Sequence, residues 1–592
     1  MSALAALVRA YDRLATRREV PAFGYSQEKI GFLISLNADG TPACAPIDLR
    51  NADGRKKVPL IEAVPASFKR PGITPRSFFL WDNTAFALGI TASVNKDGST
   101  RLAAFRHRHK QELAGTNDEG LQALLKFIDA WTPDDFARLG WPDEMKDQNV
   151  VFALESERRQ NIRLHDRPAA RDLWGRLSAS SDKSEAICLV TGERGAVARL
   201  HPSIKGVWDA QTSGASIISF NLDAFTSYNH EQGENAPVSE AAAFAYTTAL
   251  NYFLQPGSGH RIQIGDASTV FWADARDAEV AADAEDMFAS FIAPDDKGQN
   301  DKVAAVLSAV HDGRPIENLD PALEKGVRFF VLALAPNAAR LSIRFYVEDD
   351  FGAIATRYAK HVAAMRVLPR PREAMPSLWR LLIETATLRK SENIVPNLAG
   401  EWMRAVLTGG YYPLTLLSTL LMRLRTDHDV NVLRVAIIKS VLVRNFEKSF
   451  QREVPVSLDP ENTEPGYLLG RLFAVYEQIQ TAALGGNVNA TIKDKFYGAA
   501  ASQPRKIFPL LDKGSKPHLS KLGKERKGYQ VVLERKVAEI MEMMSPDADP
   551  FPSHLPDKQQ GLFALGYYHQ RSDFFAKNDS KSEKPSIEEP AA

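Results

Sequence analysis

Two kinds of hydrophobic pattern divide this chain. Up to about residue 350, short apolar runs alternate with loops rich in glycine, proline and asparagine, which is typical of strands joined by turns. Beyond Phe351 the period of two is absent, and apolar residues recur at the spacing of three and four that is typical of helices. We therefore predict an α+β fold, in which an N-terminal mixed α/β region with antiparallel hairpins is followed by an all-α C-terminal helical bundle.

The N-terminal pattern predicts two hairpins. The first joins residues 31–36 to 42–49 through a turn whose residues favour positive φ. The second joins 78–81 to 85–90, with Asn83 in its turn. The other N-terminal elements are predicted as helices over 3–17 and 119–131 and a strand over 149–155.

The segment 186–254 places two polar loops on apolar supports. Its first loop contains Lys205 and Gly206, and its second runs from Asn221 to Asn229. Glycine allows close backbone approach, while amides and hydroxyls donate and accept hydrogen bonds without titrating. This composition suits binding a ligand better than breaking its bonds.

The remaining elements follow from the same patterns. Ser239 begins an apolar helix that we expect to be buried. Strands are predicted within 186–191, 216–220, 260–272, 327–334 and 341–347, the last two as a hairpin, and an acidic helix over 280–292. The C-terminal helices are predicted over 376–391, 397–408, 413–426, 430–448, 467–484, 488–500, 528–544 and 558–576.

A strongly basic segment lies between residues 487 and 536. It holds twelve lysines and arginines against four acidic residues, a net charge of plus eight in a chain of zero net charge. Much of this charge falls between predicted helices, with Phe496, Tyr497, Phe508 and Tyr529 interleaved, as in sites that track a nucleic-acid backbone. The alternative is an ordinary solvated face. The candidate nucleic-acid contacts are Lys493, Lys495, Arg505, Lys506, Lys513, Lys516 and Lys521.

Three polar features of the N-terminal region are candidates for contacts with nucleic acid. Lys69 and Arg70 stand in a loop punctuated by proline. The basic cluster 106–110 is either the solvated start of a helix or a set of phosphate contacts. The amide of Asn83 either reads base edges, since it both donates and accepts, or caps its turn through the backbone.

The basic residues of segment 430–445 are interpreted as solvated charges. Arg434, Lys439 and Arg444 recur every five residues. Because that spacing steps about 140° around a helix, they cannot form one basic stripe.

Composition bounds the class of protein. At 592 residues the chain exceeds one hydrophobic core, and we expect about two to four domains. Cys44 and Cys188 are interpreted as small buried hydrophobes in a reducing compartment, with a disulfide as the alternative. No signal peptide and no apolar run of about 18 residues is visible, so we expect a soluble, cytoplasmic protein without membrane contact.

Motifs of known catalytic or cofactor chemistry are absent from the sequence in the contexts that they require. His-Asp pairs begin at His165, His311 and His428, but none has further metal ligands nearby in the sequence. We expect no catalytic residue, no metal and no cofactor. The alternative is a metal-dependent DNA nuclease that uses one of these pairs.

Several motifs resemble one family. The order TGE, HPSIKGV, SGASIISFN and SYNHEQGENAPVSEAAAFAYTTALN is similar to the large-subunit family of the type I-C CRISPR surveillance complex, Cascade. The segments FFLWDNTAFALGI, LALAPNAARLSIRFY, VNVLRVAIIKSVLVRN and PGYLLGRLFAVYEQIQ resemble the same family. The resemblance covers the chain up to about Lys577.

The resemblance implies a non-catalytic subunit of an RNA-guided complex. Such a subunit recognises a protospacer-adjacent motif in duplex DNA, promotes R-loop formation and recruits the helicase-nuclease, while guide pairing reads the target. Its implied partners are the backbone, guide-end and small subunits with their guide RNA, and target double-stranded DNA. A purely structural scaffold of the complex is a further alternative.

The resemblance also assigns roles along the chain. Asn83 and the two polar loops would contact the motif or the guide assembly, Lys69 and Arg70 nearby phosphates, and the basic segment displaced or target-strand DNA. An internal start at Val454 or Val456 would yield a separate small subunit. The implied regions are a motif-reading region 1–150, a central region 151–350, a helical region 351–455, a small-subunit-like bundle 456–576 and a disordered tail 577–592.

Overall fold

The computed structural model describes most of the chain. Lys69, Arg70, Asn221, the pair at His311 and the tail from residue 580 lie outside the described residues. The described residues are 1–17, 19–53, 56–67, 74–93, 97–179, 184–220, 222–292, 326–370, 376, 378–485, 490–545 and 549–579, with isolated positions between 305 and 322.

The chain divides into two compact units, each of which is described by itself. The first unit comprises Met1–Ala6, Ser203–Ser219 and Leu250–Ala592, and the second comprises Leu7–Pro202 and Phe220–Ala249. The α+β class is confirmed, because the strands of the described residues all precede Phe351 and helices follow it. The division into four regions and a tail stays a prediction.

The elements up to residue 253 are mostly short. The strands are β1 (Tyr25–Ile30), β2 (Phe32–Leu36), β3 (Ile47–Asp48), β4 (Asn51–Asp53), β5 (Lys56–Val58), β6 (Leu60–Pro65), β7 (Trp81–Asn83), β8 (Asn149–Leu154), β9 (Glu185–Ile187) and β10 (Arg194–Ala196). The helices are α1 (Ala3–Thr16), α2 (Thr84–Ala87), α3 (Gly98–Glu112), α4 (Glu119–Ala130), α5 (Asp134–Arg138), α6 (Glu155–Arg158), α7 (Pro168–Ala179) and α8 (Glu240–Phe253).

A four-stranded sheet in the order β3-β2-β8-β7 organises the second unit. Strands β2 and β8 pair in parallel at its centre, while β3 and β7 pair antiparallel with them at the edges. Ile34 and Phe152 face one apolar core, and Leu33 and Val151 face another. Because both faces of the central strands are covered, their sequences are apolar at successive positions rather than at alternate ones.

The second predicted hairpin is wrong. Trp81–Asn83 pairs with β8, and the run that follows forms α2 instead of a returning strand. Asn83 caps that helix, since its Oδ1 accepts from the N–H of Ala85 at 3.1 Å and of Phe86 at 3.3 Å. The apolar residues after Asn83 are therefore buried by one helical turn and not by strand pairing.

Two expectations for the middle of the chain are corrected. Residues 216–220 form no strand, although Ser216 makes a single parallel bridge with Arg340. Both cysteines are free, and Cys188 is buried as predicted, whereas Cys44 is exposed. Cys44 lies between β2 and β3, outside both strands.

An antiparallel sheet in the order β11-β12-β13-β14 begins the larger part of the first unit. Its strands are β11 (Arg261–Ile264), β12 (Ala267–Asp274), β13 (Arg328–Asn337) and β14 (Arg340–Asp350), and α9 (Ala278–Ile292) follows β12. The hairpin of β13 and β14 confirms the prediction for this region. Phe329 and Phe345 join the sheet to a core that continues into the C-terminal helices.

Beyond β14 the described residues form helices joined by loops and turns. The helices are α10 (Phe351–Ala364), α11 (Leu378–Ile383), α12 (Pro396–Thr408), α13 (Leu414–Asp427), α14 (Val432–Val441), α15 (Pro465–Leu484), α16 (Ile492–Ser502), α17 (Pro504–Glu525), α18 (Lys527–Glu542) and α19 (Asp557–Asp579). Glycines allow α15 and α19 to pack closely: a Cβ on Gly470 would lie 2.1 Å from the carbonyl oxygen of Phe563. One core includes helices on both sides of residue 456.

The longest helix that the sequence did not predict is α17. Two prolines, Pro509 and Pro517, lie inside this helix; both are exposed, and Phe508, Leu511 and Leu522 pack into the core. Burial of this apolar face stabilises the helix despite the two missing N–H groups. Helix α10 was also not predicted.

The interpretation of segment 430–445 is wrong for two of its three cations. Arg434 and Lys439 are buried on α14. The helical angle between them was correct, but every face of this helix is covered by neighbouring helices. Each cation therefore needs a partner inside the protein.

Candidate nucleic-acid interface

Five lysines of the basic segment form one exposed face of helix α17. Lys506, Lys513 and Lys524 fall within about 20° of one another around the helix axis at about 100° per residue. Lys516 and Lys521 flank this row, and all five lysines are exposed. We call these five residues the α17 basic face. The buried Phe508, Leu511, Ser515 and Leu522 lie on the opposite side of the helix.

Little of this charge is neutralised within the protein. Lys516 lies 3.6 Å from Asp512, an exposed pair of the kind that contributes little to stability. Among the residues that the structure describes, Lys506, Lys513, Lys521 and Lys524 have no carboxylate within ion-pair distance. The α17 basic face therefore presents a row of cations to solvent.

The aromatic residues near this face do not contribute to it. Tyr497 and Phe508 belong to the core, and Phe508 stacks on Phe551 at a ring distance of 5.4 Å. Tyr529 is half-buried, and its hydroxyl accepts a hydrogen bond from Gln478 Nε2 at 2.9 Å. The aromatic residues that the sequence interleaves with these cations pack between the helices instead.

The other predicted cations of this region are less available for binding a nucleic acid. Arg505 is paired with Asp549, and its Nε donates to the carbonyl oxygen of Phe551. Lys493 is half-buried and Lys495 exposed on α16. Hydrogen bonds from Thr491 lower the pKa of Asp494, so an ionised carboxylate stands between these two lysines in the sequence.

The loop that contains Lys205 and Gly206 belongs to the first unit. Lys205 is exposed, and its N–H donates to Asn251 Oδ1 at 2.8 Å. Gly206 has a φ of 85°, and a Cβ there would lie 2.8 Å from the carbonyl oxygen of Leu254. The sequence reasoning missed Trp208, which follows in this loop and is 62% exposed. The signal available in the sequence was a tryptophan in a glycine-containing loop, three residues after Lys205.

The loop around Asn229 belongs to the second unit. Asn229 is exposed and has a positive φ of 60°, and the preceding Tyr228 is 93% exposed. Asn235 holds the loop, since its Oδ1 accepts from Ser227 N–H at 2.8 Å and its Nδ2 donates to the carbonyl oxygen of His230 at 3.0 Å. This bracing presents Tyr228 and Asn229 to solvent.

The structure describes Asn83 and two of the three His-Asp pairs, those at His165 and His428. Asn83 caps α2, and its role in reading bases stays a prediction. His165 is buried, which lowers its pKa to about 4, and His428 ends α13 in the left-handed conformation. Within the described part of the chain, no three His, Cys, Asp or Glu side chains lie close enough to hold a metal ion. No described helix is long and apolar enough to cross a bilayer.

Comparison with known protein families gives a match over most of the chain. A family model described as CRISPR-associated protein (Cas_Csd1) matches residues 7–575. No curated protein matches the chain. The matched segment contains the α17 basic face and both polar loops, and it spans nearly the whole chain. The chain therefore belongs to the Cas_Csd1 family of CRISPR-associated proteins.

Proposed function

We propose that this chain is the large subunit of a type I-C CRISPR surveillance complex and that it binds nucleic acid without cleaving it. The α17 basic face carries this proposal. A row of exposed lysines that lack carboxylate partners among the described residues is suited to a polyanion. In a member of a CRISPR-associated family, the polyanion that the proposal requires is DNA or RNA.

The proposed contact is with the sugar-phosphate backbone and is independent of sequence. Lysine binds phosphate as a point charge, and each neutralised phosphate releases condensed counterions. Lys506 and Lys524 are separated by 18 positions, about 27 Å along a helix axis, so the face is long enough to follow a strand. Because the nearby aromatic side chains are buried or pack against the core, α17 offers charge rather than stacking, which suits displaced or target-strand DNA.

In the proposed complex, recognition of DNA is shared between the guide RNA and this subunit. Guide pairing reads the target, while this subunit reads the protospacer-adjacent motif, promotes R-loop formation and recruits the helicase-nuclease. Asn83 and the loops at Lys205-Gly206 and Asn229 are the proposed contacts with the motif or the guide assembly. Neutral amides and backbone groups suit this role because they form hydrogen bonds to base edges without chemistry.

The test compares assembled guide-RNA complexes with and without this chain. The probes are target duplexes that differ only in the few base pairs beside the target, at fixed salt and with Mg²⁺. We expect motif-dependent binding that requires the chain and leaves the DNA intact. Binding that ignores the motif would support a scaffold, and cleavage of DNA by the purified chain would support the metal-dependent nuclease.

A further inference from the structure

Trp208 has a position that the core of the protein does not explain. It lies in the loop Ser203–Ser219 of the first unit and is 62% exposed, whereas tryptophan side chains are highly buried on average. The preceding Val207 is buried, so the loop is anchored directly beside the indole. The loop is therefore attached to the fold, but the side chain of Trp208 remains exposed.

The base of this loop is fixed by hydrogen bonds. Ile204 and Ala215 exchange two backbone hydrogen bonds, of 2.8 and 2.9 Å. The side chain of Asn251 accepts from Lys205 N–H at 2.8 Å and donates to the carbonyl oxygen of Ser203 at 3.1 Å. The loop therefore leaves and rejoins the fold at defined positions.

The tip of the loop is also fixed. The N–H of Trp208 donates to Ser268 Oγ at 2.9 Å, which attaches it to strand β12. Gly206, at positive φ, approaches the carbonyl oxygen of Leu254 so closely that a side chain would not fit. The backbone on both sides of Val207 is thus held, and little ordering is needed before the indole meets a ligand.

The surroundings of Trp208 are polar and partly cationic. Lys205 is exposed, and Arg261 Nη1 donates to the carbonyl oxygen of Leu254 at 3.3 Å, the same group that Gly206 approaches. Asp209 is the one acidic residue of the loop. The exposed residues that follow are uncharged, namely Gln211, Thr212 and Ser213. The core of a protein-protein interface would be more apolar than this.

We propose that Trp208 stacks on an unpaired nucleobase while Lys205 and Arg261 neutralise the charge of the adjoining phosphates. A flat aromatic side chain beside cations is the arrangement by which proteins bind single strands without reading sequence. The inference rests on the proposed nucleic-acid function and adds to it a second kind of contact, through a base. The α17 basic face supplies charge, and Trp208 supplies stacking.

The test separates stacking from charge. The full-length wild-type chain and its variants are titrated at low salt with a single-stranded oligothymidylate and with a strand of equal length and charge made of abasic sites. We expect the wild type to bind the oligothymidylate about tenfold more tightly than the abasic strand. Trp208→Ala should reduce that ratio about fivefold or more, while Trp208→Phe should keep most of it. Trp379→Ala, at another exposed tryptophan of the first unit, is the matched control and should keep the ratio.

Each outcome bears on one proposal or the other. Lys506→Gln with Lys513→Gln should weaken binding to both strands equally and leave the ratio unchanged. If these lysine changes weaken binding but Trp208→Ala keeps the wild-type ratio, the stacking role is wrong and the basic face stands. A Trp208→Ala variant that keeps the ratio but fails to co-purify with the complex would mark Trp208 as a protein contact instead. Failure of the wild type to bind either strand would contradict both the stacking role and the α17 basic face, whereas the role in the complex is tested separately by motif-dependent binding of the assembled complex.

Discussion

Arg434 and Glu384 form an ion pair inside the first unit, with Arg434 Nε 3.2 Å from Glu384 Oε2 and each side chain only 1% exposed. Asp427 Oδ2 lies 2.6 Å from Arg434 Nη2. Burial alone would raise the pKa of Glu384, but hydrogen bonds from Asn431 and Arg380 outweigh it and lower the pKa. The pair joins the segment after α11 to helix α14.

Removing the carboxylate of this pair should destabilise the protein. We expect Glu384→Gln to lower the free energy of unfolding by about 3 kcal/mol, because Arg434 stays buried with one carboxylate fewer. Urea unfolding at pH 7 measures the change. The control is Glu392→Gln, whose partner Lys390 is 3.9 Å away and whose side chain is 67% exposed, and it should cost about 0 to 1 kcal/mol.

The same variant has an expected pH dependence. Because the folded pKa of Glu384 is lowered, its stabilisation is fully present above the unfolded pKa and is lost as pH falls through the folded value. The wild type should therefore lose stability more steeply than Glu384→Gln as pH is lowered from 5 to about 3. Parallel curves for the two proteins would show that Glu384 titrates normally.

Lys439 should make the free energy of unfolding rise with pH in the alkaline range. Burial lowers its pKa to about 8, with Glu447 and Arg366 as the nearest charges, and its Nζ donates to the carbonyl oxygen of Ala364 at 3.1 Å. Between pH 8 and about 10 the unfolded chain binds this proton and the folded chain does not, so stability rises with pH. Relative to Lys439→Met, the wild type should gain on the order of 1 kcal/mol per pH unit over this range.

Urea midpoints at pH 7, 8, 9 and 10 for the two proteins measure the effect of Lys439. Tyrosines with raised pKa values oppose stability only above their unfolded pKa of about 10, so the window ends there. A constant difference between wild type and Lys439→Met across the series would contradict the burial of an ionisable ammonium group.

The α17 basic face should determine how binding depends on salt. If Lys506 and Lys513 each contact one phosphate, changing both to glutamine should reduce the slope of log K against log salt by about 1.4 on single strands and 1.8 on duplex DNA. The matched control changes Lys360 and Lys448, which are exposed on other elements of the first unit. Equal slopes for the wild type and for the two-lysine variant of α17 would remove this face from the interface.

Asn83 can be tested without confusing recognition with folding. Asn83→Ala removes the cap of α2 and should cost about 1 kcal/mol of stability. Asn83→Ser keeps an acceptor for the cap but lacks an amide donor, so it should restore stability. If the amide reads the motif, both variants lose discrimination between duplexes with different flanking base pairs. Wild-type discrimination by the serine variant would leave Asn83 with a capping role alone.

The periodic patterns predicted elements whose burial follows directly from their own residues. The helices α4, α8 and α15 and the hairpin of β13 and β14 lie where the sequence predicted them. Helix α17 was missed because its two prolines are local signals, whereas the burial that stabilises it depends on residues of distant segments, such as Phe551 beside Phe508. The strand predicted after Asn83 failed for a related reason, since a short apolar run fits a helix or a strand equally well.

The candidate site likewise has features that the local sequence predicts and features that depend on distant contacts. The net positive charge of the basic segment was evident from composition, but its arrangement as one face of a helix required α17 to be recognised. Composition also directed attention to glycines and amides in the loop of Lys205, and so it missed Trp208. Exposure of a tryptophan depends on what packs over it, and that is a property of the folded chain.

By itself the sequence determined the α+β class, most helices and hairpins, the basic segment and the resemblance to a CRISPR-associated family, because each of these is encoded in local periodicity, charge or motif order. Only the tertiary structure decided which cations are available to a ligand. Arg434 and Lys439 are buried with partners, while Lys506, Lys513 and Lys524 face solvent. The difference arises from which helix face is covered by residues far away in the chain, and local sequence carries no record of those contacts.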